Sequence, residues 1–223
     1  GVSFNIGAGK TLALVGETGA GKTSVTNVLN RFYDIQKGII EIDDKSIHDI
    51  KLESLRKHIA YVQQEVFLFS DSILNNITLF DDKINLSDVI KAAKETGVHE
   101  IIESLPGKYN YIVGERGVTL STGQRQLIAF LRVYVRDPRI IILDEATSSI
   151  DTETEQLLQS VLEKITHNRT LIIIAHRLST IRNADKILLF KDGNIIEEGS
   201  HENLMNLEGI YYKMYSTQQF LDD

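Results

Sequence analysis

The octet GETGAGKT, Gly16 to Thr23, carries the residue types needed to grip a chain of phosphates. Its glycines let successive backbone N–H groups curl around an anion, Lys22 adds a point charge, and Thr23 offers a hydroxyl to a hard divalent cation. The spacing is that of a P-loop, G-x-x-x-x-G-K-[ST]. It follows an apolar run, TLALVG, and opens a helical pattern from Gly21 to Asn30. A helix beginning there points the positive end of its dipole at the same anion.

Two further stretches end apolar runs in reactive groups. RIIILDEATSSID, Arg139 to Asp151, places Asp144 and Glu145 at a strand tip. Asp144 is the candidate metal ligand, and Glu145, pointing differently, is the candidate base for a water in line with a phosphoryl group. IIIAHRLST ends its run at His176. Ligands of open α/β sheets gather at the carboxyl ends of strands, which brings His176 into the same candidate set. YVQQEVFLF offers Gln63 and Gln64 at a third strand end, where an amide could reach the metal or the water.

The stretch GVTLSTGQRQLIAF, 117 to 130, poses a different question. Ser121 is a good N-cap for a helix whose apolar positions Leu127, Ile128 and Leu131 follow at helical spacing. A hydroxyl, a glycine and an amide at a helix N-terminus also suit an anion. The chain already holds one phosphate loop, so this second one needs another reason.

These motifs require a scaffold. The 223 residues are enough for one domain with a sizeable insertion. Strand-like runs occur at 11–16, 38–43, 58–63, 139–144, 170–175, 186–190 and 194–199, and Asp192-Gly193-Asn194 reads as a hairpin turn. Helical patterns cover Gly21 to Asn30, Ser72 to about Leu105, the stretch after Ser121, and Thr152 to Thr166. The alternation predicts an α/β fold: a P-loop NTPase core with a mainly parallel sheet, and an N-terminal or edge antiparallel β part. Residues 70–136 are helical and separate two strand-rich parts, so they are expected to form an inserted subdomain. Net charge is −7, which disfavours nucleic-acid partners, and the absence of cysteine excludes disulfides and thiolate sites. Apolar runs such as LIIIA at 171–175 are far too short to cross a bilayer.

Together GETGAGKT, VQQEVFLF, GERGVTLSTGQRQ, IIILDEATSSID and IIIAHRLSTIRNADKI resemble the nucleotide-binding domain of ABC transporters over essentially the whole chain. The resemblance implies one ABC ATPase domain over 1–223. Residues 1–69 and 137–223 would form its RecA-like core, and 70–136 the helical subdomain bearing the signature loop. It further implies ATP and Mg²⁺ as ligands. Gly16, Glu17, Thr18, Gly19, Ala20, Gly21, Lys22, Thr23 and Ser24 would bind nucleotide. Thr23, Gln64 and Asp144 would serve the metal, and Glu145, His176 and Gln64 catalysis. Asp151 falls in the D-loop, and Ser121, Thr122, Gly123 and Gln124 form the signature. In this family two domains pack head to tail, so the anion held by Ser121 would belong to a partner subunit's ATP. GERG (114–117), SLPGKYNYIVGERG, FSDSILNNI and EEGSHENLM are exporter-like. The implied partners are a second ABC ATPase domain, identical or not, and a transmembrane domain absent from this chain. The implied place is the cytoplasmic face of the cell (inner) membrane.

The sequence departs from the pattern twice. Thr122 stands where the family usually has glycine, adding bulk beside the expected γ-phosphate, which is similar to halves of heterodimeric exporters. An adenine-stacking aromatic upstream of Gly16 is also missing, since Phe4 reads as core, and the chain is expected to be cut from a longer protein. Rival readings are a soluble ABC-type ATPase without a membrane domain, a regulatory nucleotide-binding domain, and an unrelated P-loop GTPase or kinase. Between Lys22 and Ser121 there are no sustained heptads for the long coiled coils of chromosome-organising relatives. Glu145 and His176, which degenerate domains usually lose, are present, and no Asn-Lys-x-Asp guanine signature occurs.

Overall fold

The computed structural model describes residues 1–144, 151–175 and 178–222. In chain order its strands are β1 (Thr11–Gly16), β2 (Glu41–Ile42), β3 (Lys45–Ser46), β4 (Ile59–Val62), β5 (Ile140–Asp144), β6 (Thr170–Ile174), β7 (Lys186–Lys191) and β8 (Asn194–Gly199). Its helices are α1 (Lys22–Leu29), α2 (Leu52–His58), α3 (Ile73–Thr78), α4 (Leu86–Thr96), α5 (His99–Glu103), α6 (Thr122–Arg136), α7 (Thr152–Thr166), α8 (Leu178–Arg182), α9 (His201–Asn206) and α10 (Ile210–Asp222). Short 3₁₀ turns cover Lys108–Asn110 and Glu115–Gly117.

The chain divides into two compact units. The first comprises Gly1–Tyr61, Arg139–Ala146 and Asn168–Asp223. Its six-stranded sheet runs β4-β5-β6-β1-β7-β8. β5, β6, β1 and β7 pair in parallel, and β8 closes the edge antiparallel to β7. The central strands are buried on both faces, which is why Ile141–Leu143 and Leu171–Ile174 read as unbroken apolar runs. Leu12, Leu14, Ile142, Ile172, Ile174, Leu188 and Phe190 share one core cluster with Leu55 and Ile59. At the β7–β8 hairpin Asp192 and Gly193 both have positive φ, the requirement of a two-residue turn that matches sheet twist.

The second unit comprises Val62–Pro138 and Thr147–His167. Its described elements are helical, with α6 packed on α3, α4 and α7. Leu127, Ile128, Leu131 and Val133 on α6 are buried there. A capping box starts α4: the Asn85 side chain accepts from Asp88 N–H, and Asp88 accepts from Asn85 N–H. Gly97, with φ +84°, ends it.

Three local differences from the sequence expectation have physical causes. The strand expected over 38–43 shrinks to Glu41–Ile42 in a separate two-stranded sheet with Lys45–Ser46, because Asp43 and Asp44 take positive φ and turn the chain at once. The helical pattern over 72–105 breaks into three helices, since Leu79 and Phe80 are left-handed and Gly97 caps α4. Helices α2, α9 and α10 are not among the helical patterns read from the sequence.

Candidate functional site

Parallel register sets the geometry of the first unit's site. Leu14 is level with Ile174, and Ile174 with Asp144. The tips of β1, β6 and β5 therefore lie side by side, and at the usual strand spacing Asp144 is roughly 10 Å across from β1. His176 follows β6 by two residues, but it lies outside the described residues, as does Glu145 after β5.

From the tip of β1 the chain turns through three glycines with positive φ, Gly16 (+142°), Gly19 (+84°) and Gly21 (+104°). Gly16 lies level with Phe190 of β7, so close that a β-carbon would collide with the Phe190 carbonyl oxygen. The turn is braced from behind: Gly193 N–H in the β7–β8 hairpin donates to Ala20 O at 3.1 Å. Glu17, Thr18 and Gly19 are exposed, Ala20 is buried, and Thr23 and Ser24 stand exposed on the first turn of α1.

Lys22 is only 6% exposed. Its ammonium donates to Gly16 O at 2.6 Å and Glu17 O at 2.8 Å, folding back over the turn. Burial lowers its pKa from the ordinary lysine value, and the charge of Asp144 opposes that shift. A buried cation in a glycine-rich turn, with a carboxylate across the same sheet end, fits a polyphosphate carrying a divalent metal. Thr23 and Asp144 supply oxygen donors of the kind such a metal takes.

Tyr61, on β4, was not singled out in the sequence. Its hydroxyl lies beside Thr26 of α1 and Asp144. Burial raises its pKa above the ordinary phenol value; the Thr26 bond opposes this and the Asp144 charge adds to it. The phenol thus stays protonated and can donate to the carboxylate. Thr26 is fully buried, and its Oγ1 donates to Thr23 O at 3.0 Å. The available signal was a polar-tipped aromatic inside an apolar strand run.

The remaining site residues belong to the second unit. Gln64, with Gln63, is exposed in the loop after β4. Asp151 caps α7, accepting from Thr154 N–H at 2.9 Å, which lowers its pKa. Ser121 caps α6: its Oγ accepts from Gln124 N–H at 3.1 Å, and Gln124 Oε1 accepts from Ser121 N–H at 2.9 Å. This box uses acceptor capacity on both side chains, so the Ser121 O–H and the Gln124 NH₂ keep protons to offer an anion. Gly123 is buried in the first turn, and Thr122 is exposed.

Comparison with known proteins agrees with these features. The ABC transporter family profile matches residues 1–148. The chain is 49% identical over 218 residues to the "Probable multidrug resistance ABC transporter ATP-binding/permease protein YheH" of Bacillus subtilis (strain 168), covering 98% of this chain and 32% of that protein. It is 47% identical to an "ATP-dependent lipid A-core flippase" of Idiomarina loihiensis, covering 97% of this chain and 38% of that protein. Among solved structures, a bacterial Atm1-family ABC exporter with ATP bound superposes with TM-score 0.89 at 41% identity, covering 98% of this chain and 38% of that one. The chain thus spans about a third of the length of these relatives. The glycine-rich turn at the tip of β1, the carboxylate at the tip of β5 and the capped helix at Ser121 are the features of a chain that these matches place in the ABC transporter family.

Proposed function

We propose that this chain is the ATP-binding and ATP-hydrolysing domain of an ABC exporter. The observation that carries the proposal is the buried Lys22 ammonium folded over the Gly16–Gly21 turn, in the field of Asp144. Backbone N–H groups of Gly16–Thr23 and the N-terminus of α1 would bind the phosphates of ATP, with Lys22 as the side-chain cation. Mg²⁺ would be held by Thr23, Asp144 and Gln64, and when bound it withdraws charge from the phosphate oxygens. Tyr61, beside Asp144, would orient that carboxylate by donating its phenol proton. Glu145 would take the proton of the water that attacks the γ-phosphorus, with ADP leaving as the P–O bond breaks, while His176 positions the γ-phosphate.

The signature residues Ser121, Thr122, Gly123 and Gln124 would hold the ATP bound by a second ABC ATPase domain, with Asp151 in the D-loop beside them. Two such domains would close around two Mg-ATP at the cytoplasmic face of a membrane, joined to a transmembrane domain supplied outside this chain. The division into a RecA-like core and a signature-bearing helical subdomain is part of this proposal. Among the described residues no helix is long and apolar enough to cross a membrane.

Two substitutions test it. Lys22→Ala should remove ATP binding in a nucleotide titration, and unchanged affinity would contradict the P-loop assignment. Glu145→Gln should keep ATP and Mg²⁺ binding but slow turnover by roughly two or more orders of magnitude, the scale of a lost general base. Turnover near wild type would take that role from Glu145.

A further inference from the structure

Arg125 stands in the first turn of α6, where a cation opposes the helix dipole. Its local partners account for its being there. One guanidinium nitrogen, Nη1, donates to Leu120 O at 2.7 Å and, at a longer 3.4 Å, to Gly117 O. The other, Nη2, donates to Thr122 Oγ1 at 3.0 Å. The side chain reaches these acceptors by passing over the bare Cα of Gly117, where φ is +77° and a β-carbon would sit 2.8 Å from Arg125 Cδ. Leu120 O belongs to the peptide that leads directly into Ser121, and Leu120 itself is buried. Fixing that peptide fixes the entry of the chain into the Ser121–Gln124 capping box.

We propose that Thr122 and Arg125 are positioning residues that lock the signature loop: the Thr122 hydroxyl holds the Arg125 fork against the Gly117 and Leu120 carbonyls, and so sets Ser121 and Gln124 for a partner subunit's phosphate. The second half of that statement rests on the ATP reading above; the lock itself does not. Thr122 brings bulk to a position where glycine is common in the family, but its hydroxyl is engaged along the helix by Arg125. A planar fork can serve Leu120 O and Thr122 Oγ1 together, whereas a lysine ammonium at this position cannot reproduce that planar geometry.

The test uses hydrogen–deuterium exchange of the full chain, read at the amides of Gly117, Leu120, Ser121 and Gln124. Thr122→Val keeps volume and removes the acceptor, Thr122→Ser keeps the acceptor and removes the methyl, and Arg125→Lys keeps charge and removes the fork. The valine and lysine variants should exchange roughly tenfold faster than wild type, the scale of one lost hydrogen bond to a charged group, while serine retains the slow rates. A valine variant as slow as serine overturns the lock, as does a serine variant as fast as valine. In the Glu145→Gln background, the Mg-ATP concentration for half-maximal dimerisation should rise roughly tenfold with Thr122→Val relative to Thr122→Ser. Fluorescent-nucleotide affinity of the dilute monomers should not differ between the two, a split that general loosening of the fold would not produce. Equal midpoints would overturn the positioning role. If Glu145→Gln protein does not assemble with Mg-ATP at all, the ATP reading fails, and the exchange rates still decide the lock.

Discussion

Gly16 illustrates how much one residue position can demand. Its φ of +142° already disfavours any side chain, and the Phe190 carbonyl oxygen occupies the space a β-carbon would need. Gly16→Ala should therefore cost more than about 2 kcal/mol, combining backbone strain with a clash against backbone that cannot move freely. Gly19, at φ +84°, has nothing within 4 Å of its would-be β-carbon. Gly19→Ala should cost about 1 kcal/mol from conformation alone. Urea denaturation of both variants checks the difference, and equal losses would mean the Phe190 contact does not matter. The glycine pattern was legible in the sequence because it depends on residue type and spacing. Tyr61 and Arg125 were not, because their importance comes from partners distant in sequence or across a turn, Asp144 and Thr26 for one, Gly117 and Leu120 for the other.

At the scale of elements, the sheet was legible and the C-terminal helices were not. Strands buried on both faces announce themselves by unbroken apolar runs, and the Asp-Gly turn announced the β7–β8 hairpin. Helices α9 and α10 carry no such run; a small aromatic cluster helps hold them. His201 Nδ1 lies 2.8 Å from the Tyr211 hydroxyl, and its ring is 4.8 Å from that of Tyr215. Burial, with the nearby Arg182 charge adding, lowers the His201 pKa below its ordinary value. The sign follows directly. The unfolded chain binds the proton more tightly, so this contribution is whole above about pH 6.5, the unfolded value, and is lost as pH falls from there through the lower folded value. Wild type should therefore lose more stability than His201→Gln between pH 7.5 and pH 5.5, measured by urea midpoints at each pH. An equal loss in both would remove His201 as the cause. Burial also pushes the Tyr211 phenol well above its ordinary value, so Tyr211 does not titrate in that range and His201 is the group whose protonation the comparison reads.

At the scale of the whole molecule, the sequence disclosed the fold class through the alternation of apolar strand runs with helical patterns, and the order of its motifs resembled one family throughout. What it could not disclose was the internal geometry of the signature loop, where Thr122 turns out to be bonded to Arg125. On the proposed function, the Lys22 turn and the Ser121 helix start would both bind phosphate, and they gain little by burying each other without an anion between them. ATP would supply that anion and hydrolysis would remove it, so a dimer should be transient in wild type and accumulate in the Glu145→Gln variant. The most direct measurement is sedimentation of the Glu145→Gln protein with and without Mg-ATP. Mainly monomer without nucleotide and dimer with it, reverting to monomer when Lys22→Ala is added, is the predicted result. A dimer that forms equally well without nucleotide, or that survives Lys22→Ala, would contradict the account.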